Sequence, residues 1–458
     1  MWDLERYKDN IAIYLESGET ISYQKLAKRQ KEIGSVLEGR TVAVMVCENT
    51  LGCIMCYLSF MQKGIVPLLL PSNLEEREVL QIAQVYRARY LSCAQGYLTQ
   101  NWKPLLMVED YAVYEMPRWE KMEMSKELAL LLTTSGSTGD SCCVRLSETN
   151  LQSNAASICQ YLGITEKERA ITSLPFHYTY GLSVIHSHLV CGASLLLTNK
   201  NVLQKEFWQF AEQGQATSFA GVPFTYETLE RFRLLEKMPK SIRTLTQAGG
   251  RLEPKIQRKI AKLALERNIF FYIMYGQTEA TARISYLPPA LALEKTGCVG
   301  QAIPGGRIWI SEENEICYQG ANVCLGYAQS YEDLKKGDEN QGILYTGDIG
   351  YIKDGLLYIE GRRNREVKIN GKRIHLEHVE ANWKKHFHNN IVCSFYNKKL
   401  YLTAEGNVLP EQVNQFRKWI PILEKDIIIQ EVKELPRKEN GKLAYGKLFS
   451  IIEERGRK

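Results

Sequence analysis

Residues 133–139 read Thr-Thr-Ser-Gly-Ser-Thr-Gly and follow directly on an apolar run, Leu128 to Leu132. A loop of this kind turns several backbone N–H groups and hydroxyls toward one anion, and its glycines let the main chain come close. Thr134, Ser135, Gly136, Ser137, Thr138 and Gly139 therefore read as a phosphate cradle. The stretch lacks the Gly-Lys-Ser/Thr ending of a Walker loop, which argues against a hydrolase of that class. By composition alone a Ser/Gly linker is an equal reading, so the decision rests on what surrounds the loop.

The flanking sequence alternates strand-like and helix-like segments. Thr41–Val46 reads as a buried strand, Leu51–Lys63 as a helix, Ile65–Leu70 as a second strand and Glu75–Arg87 as a second helix. Strand, helix and strand at this spacing indicate parallel βαβ units. The pattern returns with Ala170–Leu174, a helix from Leu182 and Ser194–Leu197, then with Ile242–Leu245, Pro254–Arg267 and Ile269–Met274. From Gly297 to Tyr358 short strands and glycine turns take over, which indicates a β-rich subdomain. The polar segment Gly361–Glu366 precedes a compact tail and is the candidate interdomain hinge. The expected fold is α/β: a large N-terminal domain, 1–362, of βαβ-layered sheets with a β-rich subdomain, and a small mobile α+β domain, 363–458.

The chain of 458 residues is long enough for more than one core, and 45% apolar with 24% charged residues is a globular composition. Its longest apolar runs fall far short of the roughly 20 residues that span a bilayer. The N-terminus, Met1 to Arg6, lacks the apolar core of a signal peptide, so the cytoplasm is expected. A formal charge of +6, without basic runs interleaved with aromatics, gives no reason to expect nucleic acid. Twelve cysteines are spaced irregularly, and the lone Cys53-x-x-Cys56 lies in a helical segment. It reads as buried small side chains, not a zinc site.

Further segments carry chemistry. Tyr275-Gly276-Gln277-Thr278-Glu279 follows an expected strand, where ligand sites of α/β sheets lie. Leu344-Tyr345-Thr346-Gly347-Asp348 sets a carboxylate after a tight turn, and Gly361-Arg362 with Val367-Lys368-Ile369-Asn370-Gly371 sets cations beside a glycine hairpin. Leu435 to Lys442 ends in a lysine held by a Pro/Gly loop. In this order the segments, with the Ser/Thr/Gly loop, resemble the adenylate-forming superfamily: acyl-CoA synthetases, firefly luciferase and nonribosomal-peptide adenylation domains. The resemblance runs from Ser22-Tyr23-Gln24-Lys25-Leu26 to Lys442.

The resemblance implies roles that these side chains can bear. Thr134 to Gly139 would hold the β- and γ-phosphates of ATP, and Gly249, Gly250 and Arg251 would border adenine and acyl group. Tyr275 would stack on adenine, within the turn completed by Gly276 and Gln277. Thr278 would bond the α-phosphate, and Glu279 would hold Mg²⁺, which prefers oxygen ligands. Asp348 would accept from the ribose hydroxyls, with Arg362 beside it. Lys442 would meet the charge developing between carboxylate and α-phosphorus. Lys368 and Gly371, on the hairpin, would serve the second half-reaction, with Asn364 as the hinge. The implied product is an acyl-adenylate, passed to the pantetheine thiol of coenzyme A or of an acyl carrier protein.

Tyr178 stands where coenzyme A ligases often carry a gating histidine, Tyr180 where aryl-acid relatives have an aromatic wall, and Gly221 lies in an apolar stretch bordering the acyl pocket. No Asp or Glu occurs from Ile171 to Val190, so an amino-acid ammonium would lack a partner. An apolar acid, aryl or fatty, is expected. His177, His186 and His188 read as structural. Relatives continue the phosphate loop with Pro-Lys; here Ser141 and Cys142 occupy those places, with Arg145 the nearest cation, either compensating or facing solvent. This departure also raises a competing class, a nucleotide-binding protein without ligase chemistry. Restoring the cation by Cys142→Lys is expected to lower the Michaelis constant for ATP in initial-rate assays; an unchanged constant would show that the missing lysine does not matter.

Overall fold

The computed structural model describes residues 3–99, 102–117, 119–133, 142–369, 372–387, 389–396, 399–419, 427–437, 443–444 and 447–448. These fall into two compact units, one of 3–133, 142–308 and 318–344, the other of 309–317 with 345–448.

The first unit contains two sheets. One runs, in spatial order, through Gly326–Ala328, Cys143–Ser147, Leu128–Thr133, Val66–Pro71, Val42–Cys47, Tyr90–Ala94, Tyr111–Glu115 and Leu106–Val108. Its central strands are parallel. Every residue of Val42–Cys47 is buried, so this strand is continuously apolar and does not alternate. The helix Leu51–Lys63 begins at Thr50, whose hydroxyl accepts from the Cys53 amide, and stops at Gly64, which takes φ 70°. Cys53 and Cys56 are wholly buried on it.

The second sheet carries the site. Helix α1 (Glu148–Leu162) precedes strand β1 (Arg169–Ile171), then come helix α2 (Thr179–Val190), β2 (Ser218–Gly221), β3 (Thr244–Gln247), β4 (Phe270–Tyr275) and β5 (Ser285–Leu287). A box in which the Ser147 side chain accepts from the Asn150 amide and Asn150 reaches back to Ser147 starts α1, and left-handed Gly163 ends it. Strands β1 to β4 run parallel in that order, and β5 returns antiparallel to β4. Gly221 pairs with Gln247, and Gln247 with Ile273. The carboxyl ends therefore lie level, and their loops emerge side by side. One core joins Ala43 and Met45 of the first sheet to Leu195 and Leu197 of the second, with Ile54, Leu58, Leu182 and Leu189 of the intervening helices. Burying each such leucine or isoleucine is worth about 1.5–3 kcal/mol. The expected β-rich stretch is not self-contained: Cys298–Ala302 pairs with β5, and Gly326–Ala328 with Cys143–Ser147.

Strands Arg307–Ile310, Glu315–Gln319 and β6 (Ile343–Lys353) lie partly in the second unit, and β7 (Leu356–Arg362) wholly in it. A hairpin, β8 (Glu366–Ile369) with β9 (Lys372–His375), follows. Helix Leu376–His386 then packs Trp383 with Phe416 over the sheet of Ile391–Tyr396, Lys399–Glu405 and Ile427–Val432. No helix among the described residues is long and apolar enough to cross a membrane.

Arg145 clamps the first unit. It is fully buried, donates to the carbonyls of Leu325, Tyr327, Lys336 and Gly337, and pairs with Glu339 at 2.6 Å. Its guanidinium thus finds acceptors within the fold for every donor, as a buried charge requires. Arg145→Ala is expected to cost about 3–5 kcal/mol, the scale for removing one partner of a buried charge network, measured by urea unfolding.

Candidate active site

At the carboxyl ends of β2, β3 and β4 the chain turns three times within one small region. After β3, the backbone N–H of Ala248 donates to Gly221 at 3.3 Å, and the Gln247 side chain donates to the Gly250 carbonyl at 2.9 Å. Gly249 has φ 84°, and a β-carbon there would stand 2.5 Å from the Tyr178 hydroxyl. The backbone conformation and the contact both require glycine. Gly250 and Arg251 are exposed at the tip of this turn.

After β4, Gly276 allows an equally close approach, because a β-carbon on it would meet the Ala282 carbonyl at 2.0 Å. Thr278–Ala280 form one 3-10 turn. Thr281 follows with φ 62°, a conformation costly for a β-branched residue unless its surroundings impose it. They do: its hydroxyl donates to the Asn322 carbonyl at 2.7 Å, and its own carbonyl accepts from Thr179. The Asn322 amide donates at 2.8 Å to both Ala280 and Arg283, while its oxygen accepts from Tyr318 at 2.7 Å. Glu279 projects from this loop; its carboxylate accepts from the Tyr327 hydroxyl at 2.9 Å. Burial first, then the charge of Glu279, holds the Cys142 thiol above its ordinary pKa.

Behind these loops, a cavity of about 190 Å³ lies between α1, α2 and strands β1 to β4. Its lining includes Tyr180, Thr246, Met274 and Arg283, with Glu168 and Arg243. Tyr180 is buried, with its hydroxyl 2.7 Å from that of Thr246. Tyr178 is buried at the N-terminus of α2, and burial pushes its hydroxyl up to about 12. His186 is satisfied by the Tyr57 hydroxyl at 2.9 Å, and His188 by the Val184 carbonyl at 2.8 Å. The expectation that all three histidines are satisfied meets one exception, because the buried Nδ1 of half-buried His177 has no hydrogen-bond partner.

In the second unit, Asp348 and Arg362 face each other across β6 and β7, with Arg362 Nε donating to Asp348 Oδ1 at 3.1 Å. Asp348 is 4% exposed. Gly347, at φ 70°, gives its N–H to Glu315 at 2.8 Å and so fixes the turn before it. Lys368 lies on β8 opposite Arg373, and Asn364 in the 3-10 turn Arg363–Arg365. Thr134, Ser135, Gly136, Ser137, Thr138, Gly139, Gly371 and Lys442 lie outside the described residues. The first unit thus brings together Tyr178, Tyr180, Gly221, Gly249–Arg251 and Tyr275–Glu279, and the second brings together Asp348 and Arg362. One sequence expectation is corrected: Arg145 neither faces solvent nor has donors to spare for a phosphate, since carbonyls and Glu339 occupy it.

A family model described as AMP-binding enzyme matches residues 2–328. The chain belongs to the AMP-binding enzymes, in the adenylate-forming superfamily. The 2-succinylbenzoate–CoA ligase of Listeria innocua is 26% identical over 324 residues, 69% of this chain and 68% of its own length. The D-alanine–D-alanyl carrier protein ligase of Staphylococcus epidermidis is 24% identical over 404 residues, 82% of each. Among solved structures, the O-succinylbenzoate coenzyme A synthetase from Bacillus subtilis in complex with AMP matches with a TM-score of 0.76 over 97% of both chains, at 21% identity. That last likeness is one of fold.

Sequence reasoning passed over Asn322, Tyr327 and Arg283. The first two act on a loop some forty to fifty residues earlier, so no local signal marks them. Arg283 does leave one: it is the lone charge from Ala280 to Leu287.

Burial pushes His177 down to about 4 and His186 to about 3, from an ordinary 6.5. Both are neutral in the fold, so their contribution is complete above about pH 6.5 and is lost as the pH falls from there toward 4, where the unfolded chain takes up the protons. For His177 alone this amounts to on the order of 3 kcal/mol. Urea unfolding of His177→Asn between pH 7 and 4 is expected to show a shallower acid limb than the parent.

Proposed function

We propose that this AMP-binding enzyme activates a carboxylic acid with ATP, releasing pyrophosphate, and passes the acyl group to the pantetheine thiol of coenzyme A. The reaction class is ATP-dependent, AMP-forming acid–thiol ligation. The observation that carries the residue assignment is the meeting of Gly249–Arg251 and Tyr275–Glu279 at the level ends of parallel strands, above a largely apolar cavity.

The acid's carboxylate oxygen attacks the α-phosphorus, forming the acyl–O–P bond while the bond to pyrophosphate breaks. A thiolate then attacks the acyl carbon, and AMP leaves with the bridging oxygen. Neither step needs covalent help from the protein, so positioning and charge carry the rate. Tyr275 and the Gly249–Gly250 turn would flank adenine. Thr278 would hold the α-phosphate, Asp348 and Arg362 the ribose, and residues 134–139 the outgoing phosphates. Glu279 offers a single carboxylate steadied by Tyr327, which suits Mg²⁺, a cation commonly held by one or two carboxylates and the substrate's phosphates. When bound, the ion neutralises phosphate charge. Lys442 would meet the charge formed in adenylation; Lys368 and Gly371 would serve thiolysis after the segment 363–458 turns about Asn364.

A carrier protein is the second reading for the acceptor, because pantetheine is common to both and one relative is a carrier protein ligase. The reducing cytoplasm is the compartment we assign: no disulfide joins any of the twelve cysteines, most of them buried.

Hydroxylamine trapping across a panel of fatty, aryl and amino acids tests the reading. Acid-dependent hydroxamate and pyrophosphate are expected, and their absence with every acid would leave a nucleotide binder without ligase chemistry. Lys442→Ala is expected to abolish acid-dependent pyrophosphate exchange, a loss of several orders of magnitude, while a supplied acyl-adenylate is still thiolysed. Equal loss of both activities would contradict two separate catalytic arrangements.

A further inference from the structure

The cavity behind the loops holds a cation that the activation chemistry leaves unused. Arg283 is only 2% exposed, yet no carboxylate among the described residues lies within ion-pair distance. Its contacts are few and include no counter-ion: Nη1 donates to the neighbouring Ala282 carbonyl at 3.1 Å, the guanidinium carbon sits 4.2 Å from the centre of the Tyr180 ring, and the side chain hydrogen-bonds the Tyr161 hydroxyl. Nε is buried with no hydrogen-bond partner.

The other ionisable groups on the cavity wall are accounted for. Glu168 pairs with Arg243 at 3.0 Å and also accepts from the Thr217 hydroxyl at 2.5 Å. Burial keeps His188 neutral, with Nδ1 against the Val184 carbonyl. The cavity therefore carries one uncompensated positive charge. A buried charge without a counter-ion is costly, and a buried donor without an acceptor adds to that cost. A stacked ring face offsets it only in part. What remains is an anionic partner that arrives with the ligand.

We propose that Arg283 is a specificity-determining residue that binds a second acidic group of the substrate, so that the acid activated here is a dicarboxylate or comparable dianion with an apolar body. This deepens, and rests on, the acid–thiol ligase reading. Geometry favours the assignment: Arg283 and Glu279 belong to one loop pinned through Asn322, so the reacting end and the far end of the acid are gauged by the same rigid piece of chain. Arginine also suits the task, since its planar fork matches a carboxylate through two parallel bonds. Tyr180 and Met274 would flank the body between the two ends. An amino acid is disfavoured on the same ground, as its ammonium would enter a cavity that already holds a cation.

The test compares isosteric pairs in the hydroxylamine-trapping assay on the full chain: terephthalate against 4-isopropylbenzoate and adipate against 6-methylheptanoate, with shorter and longer members of each series. At least one diacid is expected to exceed its methyl-ended partner in kcat/KM by about 100-fold, the scale of a charge-assisted hydrogen-bond pair. Arg283→Met is expected to collapse that ratio by a similar factor, chiefly through KM, and Arg283→Lys to recover part of it. Parent enzyme that turns over monoacids as well as or better than their paired diacids throughout overturns the proposal while leaving the ligase reading intact, and this comparison needs no variant to fold. A diacid preference that survives Arg283→Met in folded protein also overturns it. Failure of every acid, mono or di, removes the ligase reading and the proposal with it.

Discussion

The side chain of Asn322 is the constraint on which the site depends. Its amide spends both donors on the carbonyls of Ala280 and Arg283, and its oxygen takes the Tyr318 hydroxyl. All three partner residues are buried, where a polar atom left without a partner is costly. With Thr179 and the Thr281 hydroxyl they hold Thr281 in a left-handed conformation that a threonine adopts only under compulsion. The loop 276–283 is thereby fixed in one shape, with Glu279 on one side of the strained residue and Arg283 on the other.

A fixed loop matters because the chemistry is one of placement. Joining a carboxylate to a phosphorus, and then an acyl carbon to a thiol, needs reacting atoms held at short range and charge met where it develops. The level ends of β2, β3 and β4 supply a rigid base, and glycines at 249 and 276 let the turns pack closer than any side chain would allow. The departure at Cys142 fits this picture of an altered charge distribution. The cation that relatives carry after the phosphate loop is missing, and Arg145, close in sequence, is fully engaged in holding the fold.

Much of the fold was legible in the sequence because its signals are local. Continuous apolar runs marked the buried parallel strands, and helix limits followed Ser, Thr, Gly and Pro; the helix Leu51–Lys63 and the strand Ser194–Leu197 fall where the pattern put them. Two kinds of feature were not legible. The β-rich character of 297–358 was legible but its partners were not, because strand pairing is a long-range property and two of its strands joined sheets formed by distant segments. The support of the site was hidden for the same reason: Asn322 and Tyr327 act across some forty to fifty residues of chain. Arg145 was misjudged because an arginine in a strand gives no sign of whether solvent or buried carbonyls receive it.

The central claim is that the acid's own carboxylate oxygen becomes joined to the α-phosphorus. It is tested most directly by supplying an accepted acid labelled with ¹⁸O in its carboxyl group, together with ATP, Mg²⁺ and coenzyme A, and weighing the released nucleotide by mass spectrometry. The account predicts AMP carrying one ¹⁸O atom, in step with thioester formed. Unlabelled AMP, or ADP in its place, would contradict it.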